Sequence, residues 1–164
     1  MKYITAIRHA KPEEVASTMS DFDRKLNEKG INDSKLIGNY IKTNLPKVNL
    51  IFSSSAQRAI QTANLIAEQI NYPIQKITFD DELYDCSASY FFELLLELTP
   101  TTHHIIIVGH NSAISEFTNL LINSDFEVLP TCGLNHISID TFNWEDVDMG
   151  SGKLLKRITP KDLK

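Results

Sequence analysis

Apolar runs of strand length recur along the chain, each followed by a short polar segment and then, in most cases, by positions repeating at helical period. Tyr3 to Ile7 is β-prone and ends at Arg8-His9. After Asn27, a suitable N-cap, Leu36, Ile37, Tyr40 and Ile41 recur at helical spacing, and Gly30 near the helix start implies close packing there. Val48 to Phe52 predicts a buried strand; beyond Ser53-Ser54-Ser55 the pattern turns helical, with Ala59, Ala63, Ile66 and Ile70 on one face. Ile74 to Phe79 alternates as a strand, and Ser87 caps a predicted helix from Tyr90 to Leu98, apolar on several faces and so expected to be well buried. From His104 the chain continues in Ile105 to Val108, β-branched throughout, the pattern of a strand covered on both faces in a parallel sheet. Asn111 or Ser112 then caps a helix whose core face is Ile114, Phe117 and Leu121. Leu129 to Gly133 reads as a turn, His136 to Phe142 as an alternating strand, Asn143 to Gly152 as a polar turn and Leu154 to Ile158 as a final edge strand. Strands alternating with helices predict an α/β fold.

In such folds ligands bind at the carboxyl ends of strands, where Arg8 and His9 stand. A histidine there can be a nucleophile, a general base or a metal ligand; the adjacent arginine disfavours a cation and favours a phosphate. Alone, the pair reads more simply as a charged strand terminus facing water. Two further features bear on it. Arg58 falls in the first turn of the helix after the Val48–Phe52 strand, where free backbone N–H groups already favour an anion. An arginine at that positive end implies that something negative belongs beside it, although taken alone Arg58 can equally reach solvent. The strand 104–108 ends as the first one does, delivering His110. If these strands are neighbours, two arginines and two histidines surround one point, a phosphoryl-transfer pocket in which one histidine attacks phosphorus while the cations hold its oxygens.

The polar segment from Ala10 to Lys29, with Asp21-Phe22-Asp23-Arg24, is long for a connection and reads as a flap beside this point. Asp80, Asp81, Glu82 and Asp85 mostly make a solvated turn, one of them a candidate catalytic acid. His103 and His104 precede their strand, at the opposite edge of the sheet, and read as structural or exposed. No His-Glu-x-x-His, His-x-His or Cys/His ligand spacing is present, two arginines would repel a divalent ion, and the P-loop pattern is missing; no metal and no cofactor are expected.

Composition narrows the picture. The 164 residues suit one domain, residues 1–164, with 42% apolar and 23% charged residues. A net charge of −5 argues against nucleic-acid binding, so any phosphate site must be local. Cys86 and Cys132 are far apart and fit a reducing compartment. The amino terminus opens on a strand pattern and not on a secretory signal, and no run approaches membrane-spanning length; a cytoplasmic protein without a membrane partner is expected.

Arg8-His9-Ala10, Leu26-Asn27-Glu28-Lys29-Gly30, Ser53 to Ala63 and Val108-Gly109-His110-Asn111 occur in the order and spacing of the histidine phosphatase superfamily, which the chain resembles. Arg-His-Ala in place of the commoner Arg-His-Gly, Asp21-Phe22-Asp23-Arg24, Leu129 to Gly133 and the ending Ile158 to Leu163 resemble its SixA-type phosphohistidine phosphatases. The resemblance implies a phosphoglycerate mutase-like three-layer sandwich, its mostly parallel central sheet flanked by helices on both faces. It also implies His9 as phosphate acceptor, Arg8 and Arg58 as oxygen clamps, and His110 as a further hydrogen-bond donor. Larger mutase and sugar-phosphatase relatives carry a glutamate acid in a Leu-x-Glu element; here Leu83-Tyr84-Asp85 stands in its place, making Asp85 the candidate acid and Glu82 the second.

The activity expected is metal-independent phosphatase chemistry through a covalent phosphohistidine on His9. Its substrate is a histidine-phosphorylated protein, because the chain spares no large insertion to close over a small molecule. The alternatives are a phosphomonoesterase acting on small phosphate esters and a phosphate-binding module without turnover, which loss of His9 or His110 would have marked. A mutase needs a second basic set, and none is visible.

Overall fold

The computed structural model describes residues 1–164. Six strands, β1 (Lys2–Arg8), β2 (Leu50–Ser54), β3 (Thr78–Asp80), β4 (His104–Gly109), β5 (Leu134–Ile139) and β6 (Gly152–Ile158), form one sheet in the order β3-β2-β4-β1-β5-β6. The first four strands run parallel, and β5 is antiparallel to both β1 and β6. Helices α1 (Glu28–Asn44), α2 (Gln57–Gln69), α3 (Ala88–Leu95) and α4 (Ala113–Ile122) complete the chain's regular elements.

The handedness of parallel crossovers explains the layers. From β1 the chain passes over β4's place to β2 and on to β3, moving one way across the sheet, so α1 and α2 lie on one face. It then reverses to β4 and β5, which places α3 and α4 on the other. Ile37, Ile41, Ala63 and Ile66 accordingly pack with Ile7, Ile51, Ile106 and Val108. Phe91, Leu95, Phe117 and Leu121 pack with Ile4, Ile105, Ile107 and Ile137 on the opposite face. β1 and β4 are neighbours, with Arg8 opposite Gly109, but their following loops leave toward opposite faces. The crevice this opens is the usual place for a ligand in such sheets.

Three elements differ from their sequence reading. The expected third strand, Ile74 to Phe79, is paired only from Thr78 on and runs one residue further to Asp80, because Ile74–Lys76 follows Pro73 as a turn of 3-10 helix, and the alternation reflects Ile74 and Ile77 packing under the α1/α2 layer. The fifth strand begins and ends earlier than its polarity suggested, and both its faces are buried. Its polar side chains are paired instead of solvated: Asn135 donates to Thr118 Oγ1 at 3.1 Å, and His136 Nδ1 lies 2.9 Å from Thr5 Oγ1. Helix α3 starts and stops early, and only Ala88, Phe91 and Leu95 are fully covered while Leu96 faces water.

Candidate active site

His9 follows directly on β1 and is only 6% exposed. Its Nδ1 lies 2.8 Å from the carbonyl oxygen of Ala10, and since a carbonyl only accepts, Nδ1 carries the proton. Nε2 therefore keeps its lone pair. Ala10 is fully buried, its N–H donating to Thr62 Oγ1 at 3.0 Å, while that hydroxyl donates to the Arg58 carbonyl at 2.7 Å. Ala10, whose carbonyl orients the histidine, is thus tied through its N–H to the first turns of α2. Gly30 supports the same segment: a Cβ there would stand 2.2 Å from the Lys11 carbonyl oxygen, so helix α1 approaches the flap more closely than any other residue permits.

Arg58 sits in the first turn of α2 and is 5% exposed, pointing inward and not to solvent. Its Nε–H points at His9 Nε2 at 3.4 Å. Its Nη1 and Nη2 donate to Asp21, to the backbone oxygen at 2.7 Å and to Oδ2 at 2.9 Å. His110 follows β4, its ring centroid 4.9 Å from that of His9 and its Nε2 2.8 Å from Ser54 Oγ at the end of β2. Arg8 closes the other side. Its Nη1 donates to the Leu129 carbonyl at 3.1 Å, whereas its Nε is buried with no acceptor.

The turn at 129–133 does more than connect. Cys132 adopts a left-handed conformation (φ 58°) that aims its N–H at the carbonyl oxygens of both Arg8 and His9, at 3.0 and 3.1 Å. The Leu129 carbonyl accepts from Asn111 Nδ2 at 2.9 Å as well as from Arg8. One turn thereby fixes the ends of β1 and β4 against each other.

These side chains line an open cavity of about 540 Å³ together with Lys11, Pro12, Asp21, Arg24, Tyr84, Asp85, Asn111 and Thr131. Burial, reinforced by the charges of His110, Arg58 and Arg8, pulls the His9 pKa down to about 3. Burial, with Arg58 and Arg8, takes His110 to about 4. Both rings are neutral near pH 7, which leaves His9 Nε2 nucleophilic. Arg8 is also lowered, by burial and then by Arg58.

Of the residues proposed from the sequence, Arg8, His9, Arg58, His110 and Asp85 line one cavity. Asp85 stands exposed at its rim; Glu82 does not line it. Asp80 is engaged elsewhere, accepting from Tyr90 OH and from the Glu82 N–H. The flap expected beside the site is there, Pro12 bridging to Leu26 and Lys11, Asp21 and Arg24 facing the cavity. Sequence reasoning missed Ser54, Thr62, Asp21 and Tyr84 as members of the site. Ser54 and Thr62 carry no signal of their own, but an Asp-x-x-Arg pair inside a functional loop marks Asp21.

The profile described as histidine phosphatase superfamily (branch 1) matches residues 4–91. An uncharacterized protein of Mycobacterium tuberculosis is 27% identical over 168 residues, covering 94% of this chain and all 100% of its own. The protein histidine phosphatase SixA, solved with tungstate, has the same fold, with a TM-score of 0.85 at 21% identity over 99% of each chain. A structure named for the phosphohistidine phosphatase SixA of Agrobacterium tumefaciens gives a TM-score of 0.83 at 25% identity, over 97% of this chain and 98% of that one. The profile match spans more than half of the sequence, including Arg8, His9 and Arg58, and the chain belongs to branch 1 of the histidine phosphatase superfamily.

Proposed function

We propose that this protein is a phosphohistidine phosphatase that needs no metal ion and works through a covalent phosphohistidine on His9. The observation that carries the reading is the His9 ring, its Nδ1–H held by the Ala10 carbonyl and its unprotonated Nε2 facing a crevice walled by two guanidinium groups. The Nε2 lone pair forms the new N–P bond while the substrate's bond to phosphorus breaks and its electron pair leaves with the departing group. Arg8 and Arg58 hold the phosphoryl oxygens, supplying the charge that a metal would otherwise bring, and His110 donates a further hydrogen bond. Water then attacks phospho-His9, releasing inorganic phosphate and restoring the imidazole.

A histidine-phosphorylated protein suits this cavity better than a sugar phosphate. The conjugate acid of a departing imidazole has a pKa of about 6.5, so that group takes a proton from solvent with little help. Asp85, exposed at the rim, offers little help. The cavity is open, as a protein-borne phosphohistidine requires, and the likeness to SixA points the same way. A phosphomonoesterase acting on small esters is the second reading, favoured by the presence of the Asp85 carboxylate beside the cavity. The test is a panel of a phosphohistidine protein, an aryl phosphate, a sugar phosphate and a nucleotide, with chelator present throughout. The proposal expects the phosphohistidine protein to be turned over fastest. A sugar phosphate or nucleotide hydrolysed far faster would replace it with the second reading, and activity that vanished with chelator and returned with zinc or magnesium would end it.

A further inference from the structure

Both Nη groups of Arg58 are engaged by an anion belonging to the chain itself. Asp21 opens a short 3-10 turn in the flap, capped by Ser20. Its Oδ2 accepts from Arg58 Nη2 at 2.9 Å and from Tyr84 OH at 2.7 Å; its Oδ1 lies 3.1 Å from Arg24 Nη2; and its backbone oxygen accepts from Arg58 Nη1. The side chain is 46% exposed, so it is not a core residue whose charge had to be neutralised. The hydrogen bond from Tyr84 and the guanidinium of Arg58 hold its carboxyl below the ordinary range, so it is ionised near neutral pH. Tyr84 joins this contact to the site, its ring meeting Phe22 of the flap on one side and His110 on the other, each edge to face.

Each Nη keeps a second N–H, but a phosphoryl anion and the Asp21 carboxylate on one guanidinium share its charge and repel each other within the same cavity. We infer that Asp21 is a built-in competitor for the phosphate clamp, an anion on the flap that phosphate must displace from Arg58 and that returns to expel the product. The inference rests on the reading of the cavity as a phosphate site. It answers a difficulty in that reading: a buried guanidinium and a half-buried one facing the same phosphate oppose its release, and turnover requires letting it go. The alternative is that Asp21 only positions Arg58, in which case its carboxylate stays in place when phosphate binds.

Asp21→Asn separates the two, since the amide keeps the shape and an acceptor but loses the charge. Competition predicts that inorganic phosphate, titrated calorimetrically, binds Asp21→Asn roughly tenfold or more tighter than wild type, the effect of one charged hydrogen bond. Product inhibition by phosphate should strengthen by the same factor. In wild type, saturating phosphate should speed amide exchange at Arg24, whose N–H bonds the Asp21 carbonyl. Equal or weaker phosphate binding in Asp21→Asn, or slower exchange of the flap on adding phosphate to wild type, would overturn the inference and leave the catalytic reading intact. Failure of both proteins to bind phosphate would instead remove the phosphate site and the inference with it.

Discussion

Replacing Arg58 by alanine asks how much of the activity the clamp supplies. Arg58 is the buried cation nearest the nucleophile, its Nε 3.4 Å from His9 Nε2, so truncation removes donors at the place where charge moves during transfer. Loss of one such donor typically costs about 2.7–4 kcal/mol, or roughly 10²–10³ in kcat. The fold should survive. Asp21 keeps its contacts to Tyr84 and Arg24 and is half exposed, so the charge left behind is screened. The expected result is a fall of about 10²–10³ in kcat on an aryl phosphate, with an unchanged circular dichroism spectrum and a melting temperature within a few degrees of wild type. Arg58→Lys should lie between, keeping the charge but not the planar fork. The substitution also removes one of the charges that lower His9, so the pKa of that ring should rise in Arg58→Ala while burial keeps it below 6.5, a change readable by NMR titration. A loss of less than tenfold in a folded Arg58→Ala protein would refute the assignment of Arg58 as a clamp.

Two further expectations concern protons. His9, His110 and His104 are depressed by burial to about 3, 4 and 4, below the ordinary 6.5, so the unfolded chain takes up protons first as pH falls. Their contribution is complete above about pH 6.5 and is lost toward pH 3–4, at up to about 1.4 kcal/mol per pH unit for each ring. Urea unfolding at pH 7, 6 and 5 checks this, and stability independent of pH over that range would contradict it. Asp85→Asn should lower hydrolysis of an alkyl phosphate far more than that of phosphohistidine, up to ~10²–10⁴-fold where an acid operates, whereas Glu82→Gln, outside the cavity, should change neither. Equal damage to both reactions by Asp85→Asn would show that the acid is needed even for an imidazole leaving group.

Much of this was legible in the sequence because the site uses strand ends. The runs ending at Arg8-His9 and Gly109-His110 announce themselves by hydrophobicity, and Asn27 caps α1 as expected, accepting from the Gly30 N–H at 2.8 Å. Where the pattern misled, burial had changed the meaning of polarity. His136 and Ser138 alternate with apolar neighbours as a half-solvated strand would, yet both are buried, and the partner of His136, Thr5, exists in space and not in the local sequence. Ser87 precedes α3 as expected, but its hydroxyl pairs with that of Ser89 and not with a helix N–H. Within the site, residues named by motif came together, whereas those that hold them did not stand out. Thr62 and Cys132 act through a single hydroxyl and a single backbone amide, and neither residue type in its local context signals that use. The pairing of Asp21 with Arg58 spans 37 residues and depends on where the flap lands.

The central claim is that phosphate passes through His9, and the direct measurement is a rapid quench of the wild-type protein during turnover of a labelled substrate. The account predicts a phosphoenzyme that survives base, is lost in acid as a phosphoramidate is, and maps to His9 on peptide analysis, with none formed in a folded His9→Ala protein that has also lost activity. A label on any other residue, or substantial turnover by His9→Ala, would contradict it.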